Sequence, residues 1–417
     1  GKMKITARQW RALAGACLLQ CAMMGVLINC SGVLFAQIRM DTGIRMTEMS
    51  AFNTIKSVTG SLLSATVTGL FFRKNQKYGL LMNQALMCLS YLMMTIRPGG
   101  PIWYAAAILS GVSGCLCVVA IPSILNRVFP LQSGTPTGFA MAFSGIGGAI
   151  FNPLCAWLIT AVGWRWTIGI LCLTDMLLSM AGLQLLFGNA GIDRADAPAQ
   201  SGEKRREEIG PFDWKHCIPV TMVLVGGGLG FQFATNLSIF VQNNGYSLQV
   251  GATLTTMLML GNVAGKFVYG FLCDRIGVWK TTAAGLFCVM IGTLIFLLLG
   301  QNLILLYFAA LLFGNIYALS TISVSRCCMA AYGMAHYTRY IGIHNGINQA
   351  IMAVASMATG MIFDATGSFA PILAFTLAGL ILSLAGVWLL RKTGAESPHS
   401  SESELCELGE ACPPNWF

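Results

Sequence analysis

Long apolar segments alternate with short polar or glycine- and proline-containing breaks along nearly the whole chain. Twelve of these segments are close to the length of about 20 residues that a helix needs to cross the hydrocarbon core of a bilayer. They lie near 12–36, 49–71, 79–96, 103–126, 138–162, 166–188, 216–240, 247–271, 281–299, 303–325, 341–363 and 369–390. The pattern predicts an all-α membrane protein with twelve transmembrane helices.

A hydrophilic stretch at 189–214 separates the first six segments from the last six. It contains a run of adjacent acids and bases, and it is too polar to enter a membrane. We expect a first six-helix bundle over 1–188, a cytosolic linker over 189–214, a second six-helix bundle over 215–392 and a disordered cytosolic tail over 393–417. The two bundles are candidate repeats.

The distribution of Lys and Arg predicts the orientation of the chain. With both termini in the cytosol, 19 of the 25 Lys and Arg residues lie on the cytosolic side, four lie on the outer side and two lie inside spans. Basic residues accumulate on the cytosolic side of membrane proteins. We therefore expect a multi-pass protein of the cell membrane, inner or plasma, with both termini inside.

The composition agrees with a membrane protein and argues against two other classes. Hydrophobic residues make up 55% of the chain and charged residues 10%, whereas soluble domains have about 25% charged residues. The net charge of +9 is spread between apolar segments, whereas a nucleic-acid-binding protein gathers such charge on one face. We expect a monomer in a lipid bilayer, without a nucleic-acid partner.

The fifteen cysteines lie mostly within apolar segments. They form no Cys-x-x-Cys pair and no His-spaced cluster, so we expect neither a metal site nor redox chemistry. Small buried hydrophobic residues are the simpler interpretation. The chain also lacks a P-loop, a G-x-S-x-G motif and an H-E-x-x-H motif. We expect no enzymatic activity and no cofactor, and transport would use an ion or solute gradient instead of ATP.

Three local strings are more specific than the overall pattern. They are Gly138-Phe139-Ala140-Met141-Ala142 with Gly145, Gly147, Gly148, Asn152, Pro153 and Gly163-Trp164-Arg165-Trp166 around span five; Gly261, Asn262, Gly265, Lys266, Gly270, Asp274, Arg275 and Gly277 around span eight; and Gly360, Asp364, Gly367 and Ser368 at the end of span eleven. Together with the two-bundle plan, they resemble the major facilitator superfamily, in particular its branch of monocarboxylate transporters and oxalate/formate antiporters.

The resemblance implies a secondary transporter that moves a small organic anion by alternating access around a midplane site. It also implies a cytosolic gate at Asp274 and Arg275. The sequence departs from the family pattern at two places. The loop after span two lacks the usual Asp, which in the family helps to hold the outward-open state, and Lys266 stands near where the branch carries an arginine. A lysine attracts an anion but offers no planar bidentate fork.

Lys266 is the first candidate for substrate binding. It precedes Asp274 by eight residues, which is roughly 12 Å of helix and more than a lysine side chain comfortably spans. A charge at membrane depth costs at least about 2.5–3.5 kcal/mol, so the ammonium needs water, a partner or a substrate. Asn262 lies one turn away and would share a ligand. The alternative is a structural pairing or a lysine that reaches the interface.

Lys56 is the second intramembrane cation, eight residues past Glu48 in span two. Asn53 and Thr59 lie three residues on either side and form one polar stripe with it. Two cations in one cavity would clamp a dianion or a larger acid. The alternative is a lysine that pairs with an acid or with backbone carbonyls.

Asp175 lies about ten residues into span six, near the membrane midplane. A buried carboxyl group there could carry a proton and couple transport to a proton gradient. The alternative is a packed acid that forms hydrogen bonds within its own helix. A proton or a counter-anion is therefore the expected coupling partner, beside the organic anion itself.

Other polar residues of the spans complete the predicted site, each with helix packing as its alternative. The substrate-binding candidates are Asn29, Asn236, Tyr317, His344 and Asn348. His344 could change its charge near neutral pH. Two rival functions use the same fold: an exporter of hydrophobic or drug-like compounds, which would tolerate the loss of Lys266, and a transporter-like sensor, which would bind a ligand without moving it.

Overall fold

The computed structural model describes residues 6–73, 75–129, 134–188 and 212–392. Within these ranges the chain is helical and contains no strand. The elements are α1 Ala7–Gln20, a π-helical segment Cys21–Val26, α2 Ser31–Thr42, α3 Met46–Arg73, α4 Gln76–Met94, α5 Gly100–Val128, α6 Gly134–Phe187, α7 Trp214–Thr235, α8 Leu237–Asn243, α9 Leu248–Ile276, α10 Val278–Leu298, α11 Leu303–Phe313, α12 Ile316–Ser320, α13 Ile322–Thr366 and α14 Ala370–Lys392.

Several helix ends follow from local side-chain chemistry. Thr6 and Gln9 form a capping box at the start of α1, and the Ser247 side chain accepts a hydrogen bond from the Val250 amide at the start of α9. These contacts satisfy amides that have no partner within the helix. At the other end of a helix, Gly367 adopts a left-handed conformation with φ of 67° and terminates α13.

Helix α6 contains two membrane passes. At Gly163 the backbone leaves the helical conformation, with φ of 81° and ψ of 161°. This conformation is accessible to glycine and strained for a residue with a Cβ atom. The break falls between the predicted spans 138–162 and 166–188.

Helix α13 also contains a reversal of direction. The rings of Tyr332 and Tyr340 stack with their centroids 3.9 Å apart, and the Tyr332 hydroxyl lies 2.9 Å from Nε2 of His344. Eight and twelve residues of straight helix would separate these pairs by about 12 and 18 Å. The chain therefore turns back between Tyr332 and Tyr340, so α13 holds the end of one pass and the whole of the next.

Three passes are interrupted within their length. The first has a turn after its π-helical segment, at 27–30; the seventh breaks between α7 and α8 at Asn236; and the tenth breaks between α11 and α12 at Gly314 and Asn315. Interrupted transmembrane helices expose backbone groups, which transporters use at their binding sites.

With these breaks and reversals, the described helices make twelve passes in two bundles of six. Nine stretches among the described residues are long and apolar enough to cross a membrane, and one of them, Gly138–Phe187, holds two passes. The fold is thus the expected all-α membrane fold. The expected linker lies largely outside the described residues, at 189–211, and so does the expected tail at 393–417.

The two ends of the structure are named by the elements found there. The terminal face is the end where α1 begins and α14 ends, and the distal face is the opposite end, with Gly163 and Gly367. In the distal half the two bundles touch. The Thr54 hydroxyl donates a hydrogen bond to the carbonyl of Ala353 at 3.1 Å, and the Ser356 hydroxyl donates to the carbonyl of Ser50 at 2.9 Å.

Candidate functional site

The first bundle and the second bundle meet at the glycine-rich face of α6. A Cβ atom built on Gly148 would lie 3.1 Å from Cβ of Asn29 and 2.8 Å from Cγ of Met259. A Cβ atom built on Gly145 would lie 3.2 Å from Nδ2 of Asn262. The glycines therefore bring Asn29, in the interrupted first pass, and Asn262, on α9, to the same face of α6.

The amides of these two predicted residues differ in their hydrogen bonds. Nδ2 of Asn29 donates to the carbonyl of Ser144 at 2.8 Å. Asn262 is buried, and its Oδ1 has no hydrogen-bond partner among the described residues. A buried acceptor without a partner costs about 1–3 kcal/mol. Oδ1 of Asn262 is therefore free to accept a hydrogen bond from water or from a ligand.

Lys266 follows Asn262 by one turn of α9 and is partly exposed. It lies 18 residues after the start of α9, about 27 Å from the distal end and about 15 Å from the terminal end of this helix. Within the part of the chain that the structure describes, the one ion pair joins His216 to Asp213. The Lys266 ammonium group thus has no carboxylate partner among the described side chains.

Asn315 is a residue of this region that the sequence did not indicate. A Cβ atom built on Gly265 would lie 2.7 Å from Oδ1 of Asn315, so the amide oxygen packs on α9 beside the residue that precedes Lys266. Nδ2 of Asn315 donates to the carbonyl of Leu312 at 2.9 Å. The pair Gly314-Asn315 inside an apolar run was the available signal, because this pair interrupts helices.

Lys56 lies in a different part of the interior. A Cβ atom built on Gly111 of α5 would lie 2.6 Å from the backbone oxygen of Lys56, so α3 and α5 pack closely at this position. Lys56 is 10 residues, about 15 Å, from the distal start of α3. It therefore lies nearer the distal face than Lys266, and no described contact brings the two lysines together.

Three further predicted residues line the interrupted passes of the second bundle. Nδ2 of Asn348 donates to the carbonyl of Ser320 at 3.2 Å, while its buried Oδ1 has no partner among the described atoms. The ring of Tyr317 meets Phe231 edge-to-face at 5.3 Å. Asn236 donates to the carbonyl of Gln232 at 2.8 Å, within its own pass. Asn348 thus resembles Asn262 in offering an unused amide oxygen.

His344 belongs to an aromatic cluster near the terminal face. Its Nε2 lies 2.9 Å from the hydroxyl of Tyr332, and the Tyr332 ring in turn packs edge-to-face against His216 at 6.1 Å. The imidazole is fully buried, and its Nδ1 has no partner among the described atoms. This placement links the tenth and eleventh passes.

Asp175 is fully buried inside the first bundle. Its two carboxylate oxygens accept hydrogen bonds from Nε2 of Gln84 on α4, at 3.1 and 2.9 Å, and the Cys88 thiol lies 3.5 Å away. The carboxyl group is therefore bonded across two helices, whereas the packing alternative placed its bonds within its own helix.

Of the two residues of the expected cytosolic gate, the structure describes the side chain of Arg275 alone. The side chain of Asp274 lies outside the described residues. Arg275 is exposed at the end of α9, with its guanidinium carbon 4.5 Å from the centroid of the Phe271 ring. This is a cation–π contact within one helix.

No described group of three or more His, Cys, Asp and Glu side chains could hold a metal ion.

The sequence pattern of the Major Facilitator Superfamily matches residues 16–356 and 220–411 of this chain. The chain therefore belongs to the major facilitator superfamily, and it is a membrane transporter and not an enzyme.

Two similar proteins illustrate the range of this superfamily. The chain is 22% identical over 286 residues to the aspyridones efflux protein apdF of Emericella nidulans, a match that covers 66% of this chain and 55% of the relative. The crystal structure of a variant of the nucleoside transporter NupG has the same fold, with a TM-score of 0.73 and 11% identity over 92% of this chain and 99% of that one. One of these proteins is an efflux protein and the other a nucleoside transporter, so they do not support the carboxylate branch suggested by the sequence.

Proposed function

We propose that this transporter moves a small organic anion, a mono- or dicarboxylate, by alternating access. One observation carries the proposal: Lys266 is a partly buried lysine deep within α9, and its ammonium group has no carboxylate partner among the described residues. A charge at this depth is costly unless water or a counter-ion compensates it. A substrate carboxylate is the counter-ion that a transporter would bind and release.

The neighbouring amides give this site its polar walls. Asn262, one turn from Lys266, and Asn348 each have a buried amide oxygen without a described partner. These oxygens would accept hydrogen bonds from hydroxyl or amide groups of the substrate. Asn29 and Tyr317 would orient its apolar part, and Asn315 extends the same wall beside α9. A proton or a counter-anion would then discharge the site, which allows the empty carrier to return.

The terminal face is cytosolic in this proposal, and the protein acts as a monomer in an inner or plasma membrane. The support is the count of Lys and Arg in the predicted loops, 19 on the side of the termini against four on the opposite side. The proposed gate at Asp274 and Arg275 would then lie at the cytosolic end of α9. His344 and Asn236 are nearer to the ends of the path. They would contribute more to gating than to recognition of the substrate.

A thermal-stability screen tests the carboxylate site directly. The purified protein is heated with a series of mono- and dicarboxylates, as wild type, as Lys266→Gln and as Lys280→Gln. Lys280 is exposed on α10 at the terminal face, so its variant controls for the loss of one positive charge. A ligand present at 100 times its Kd stabilises the folded state by about 2.7 kcal/mol. We expect one class of acid to stabilise wild type and Lys280→Gln but not Lys266→Gln.

Transport of the same acid into proteoliposomes completes the test. Lys266→Gln should lose uptake while it reconstitutes as well as wild type. If Lys266→Gln transports the acid at the wild-type rate, Lys266 has no role in anion binding and the proposal fails.

A second candidate function is the export of hydrophobic compounds, because the similar protein from Emericella nidulans is an efflux protein. Such a carrier would bind neutral or lipophilic molecules and would not need Lys266. Stabilisation of both wild type and Lys266→Gln by hydrophobic compounds, with no effect of any acid, favours this function over anion transport.

A further inference from the structure

The carboxylate of Asp364 forms two hydrogen bonds between the bundles at the distal face. Its Oδ1 accepts from the backbone amide of Met46 at 2.9 Å, and its Oδ2 accepts from the amide of Thr47 at 2.7 Å. These are the first two amides of α3, and they have no acceptor within that helix. Their lengths are those of hydrogen bonds to a charged acceptor. Asp364 thus caps a helix that lies 318 and 317 positions earlier in the chain.

Other contacts form a continuous seam around this cap. A Cβ atom built on Gly360 would lie 2.7 Å from Cα of Thr47, which brings the backbones of α13 and α3 together. The guanidinium carbon of Arg39, at the end of α2, lies 4.8 Å from the centroid of the Phe363 ring. Asp364 is therefore held at a point where two helices of different bundles touch.

The cap is also accessible to water. Asp364 is exposed, and a cavity of about 500 Å³ is lined by Arg45, Thr47, Glu48 and Asp364. Water in this cavity can solvate the carboxylate and the two amides once they separate. The two hydrogen bonds can therefore hold the bundles together and can also break, because water replaces them when the bundles separate. A pair buried away from water could not separate as easily.

Alternating access requires the seam to separate whenever the distal face opens. We propose that Asp364 is a positioning residue of the transport cycle: its cap on α3 holds the distal face closed and sets the balance between the distal-closed and distal-open states. The role holds for any substrate, because neither Asp364 nor α3 at Met46 and Thr47 touches the site around Lys266.

Hydrogen–deuterium exchange of the full-length protein in lipid nanodiscs tests this role. The variants are Asp364→Asn, which removes the charge and one acceptor, and Asp364→Glu, which keeps both. Asp41→Asn is the matched control, since Asp41 is an exposed acid of the same face that is bonded to Gln37 within its own helix. The loss of hydrogen bonds to a charged acceptor should shift the equilibrium between the two states about tenfold or more.

In Asp364→Asn we expect the amides of 46–50 and 353–364 to exchange about tenfold faster than in wild type. At the same time the terminal-face ends of α3 and α9 should exchange more slowly, because one face closes when the other opens. Asp364→Glu should lie between Asp364→Asn and wild type, and Asp41→Asn should match wild type.

Two results would overturn the proposal. Faster exchange confined to the first turn of α3 makes Asp364 a local cap without influence on the bundles, and an equal effect of Asp41→Asn makes the change a general loss of negative charge. Thermal denaturation of each variant separates these outcomes from unfolding, and Asp364→Glu keeps the test decisive if Asp364→Asn does not fold.

Discussion

A Cβ atom built on Gly145 of α6 would lie 2.6 Å from Cγ2 of Val263 on α9. The same atom would lie 3.2 Å from the backbone oxygen of Met259, so it would meet a side chain and a backbone group of the other bundle. Gly145 therefore permits the close approach of the two bundles next to Asn262. A residue with a side chain at this position has to push the bundles apart or displace Val263.

Gly145→Ala should destabilise the distal-closed state, because the added methyl group overfills the contact. Overpacking of this kind costs about 1–3 kcal/mol. We expect a lower midpoint of thermal denaturation and a reduced rate of transport in proteoliposomes. The matched control is Gly138→Ala on the same helix, where a Cβ atom would meet nothing within 4 Å.

Gly138→Ala should be neutral or should stabilise the protein by up to about 1 kcal/mol, because alanine favours a helix more than glycine does. Equal denaturation midpoints for the two variants would show that the bundles do not meet tightly at Gly145.

Lys56→Gln should discriminate between classes of acid. Lys56 and Lys266 lie at different depths, about 15 and 27 Å from the distal ends of their helices. If the substrate is an acid bound at Lys266, as proposed, a small monocarboxylate would contact Lys266 alone, whereas a longer dicarboxylate would extend toward Lys56. We expect Lys56→Gln to weaken the binding of dicarboxylates about tenfold or more and to leave monocarboxylates within twofold, measured as ligand-induced thermal stabilisation.

Lys280→Gln serves again as the control for charge. If Lys56→Gln weakens both classes of acid equally, or neither, Lys56 does not select the substrate, and its contacts with α5 are structural.

The first turn of α7 provides a test outside the transport path. Asp213 accepts hydrogen bonds from the amide of His216 at 3.3 Å and from Nδ1 of His216 at 2.6 Å. Burial alone would raise the pKa of this carboxyl group, but the hydrogen bonds and the charge of His216 outweigh burial and lower the pKa. A carboxyl group with a lowered pKa in the folded state stabilises that state at neutral pH, and this contribution is lost as the pH falls through its folded-state pKa.

Asp213→Ala should therefore destabilise the start of α7 by about 0.5–2 kcal/mol at neutral pH, the usual cost of losing an N-cap. The difference from wild type should shrink in acid. The measurement is amide exchange of 214–218 at several pH values, with Lys215→Ala as the control, since Lys215 is exposed in the same turn. A difference that stays constant down to acidic pH would show that the Asp213 carboxylate does not contribute as an anion.

The membrane fold could be predicted from the sequence, because the burial of apolar side chains in the bilayer requires long apolar segments that are easily recognised. Each pass needs about 20 apolar residues, and the break at Gly163 stands out between two such runs. The interruptions at Asn236 and Gly314 were not predicted, because each lies inside an apolar run whose hydropathy does not change there. These interruptions depend on the local backbone conformation, which the hydropathy of a segment does not predict.

The candidate site could be predicted only in part. Lys266 and Asn262 are one helical turn apart, so their proximity follows from α9 alone. Asn315 comes from a different helix and meets α9 only through the packing at Gly265, which no local pattern encodes. The cap of Asp364 on Thr47 joins residues 317 positions apart. The string around Asp364 resembles the family pattern, but the sequence does not indicate that Asp364 caps α3. That contact depends on the way in which the two bundles meet.

Asp175 offers the sharpest choice between a structural role and proton coupling. Inside the first bundle its carboxylate accepts hydrogen bonds from Nε2 of Gln84 and a longer one from the Cys88 thiol. Asp175→Leu leaves Nε2 of the buried Gln84 without an acceptor, which costs about 1–3 kcal/mol, whereas Asp175→Asn keeps one acceptor. We expect Asp175→Leu to lower the denaturation midpoint, and Asp175→Asn to remain close to wild type with the same pH dependence of transport.

Thr174→Ala is the control, because the Thr174 hydroxyl is exposed and bonds within its own helix. A loss of proton-driven uptake in Asp175→Asn, with exchange of substrate across the membrane retained, would assign proton coupling to Asp175.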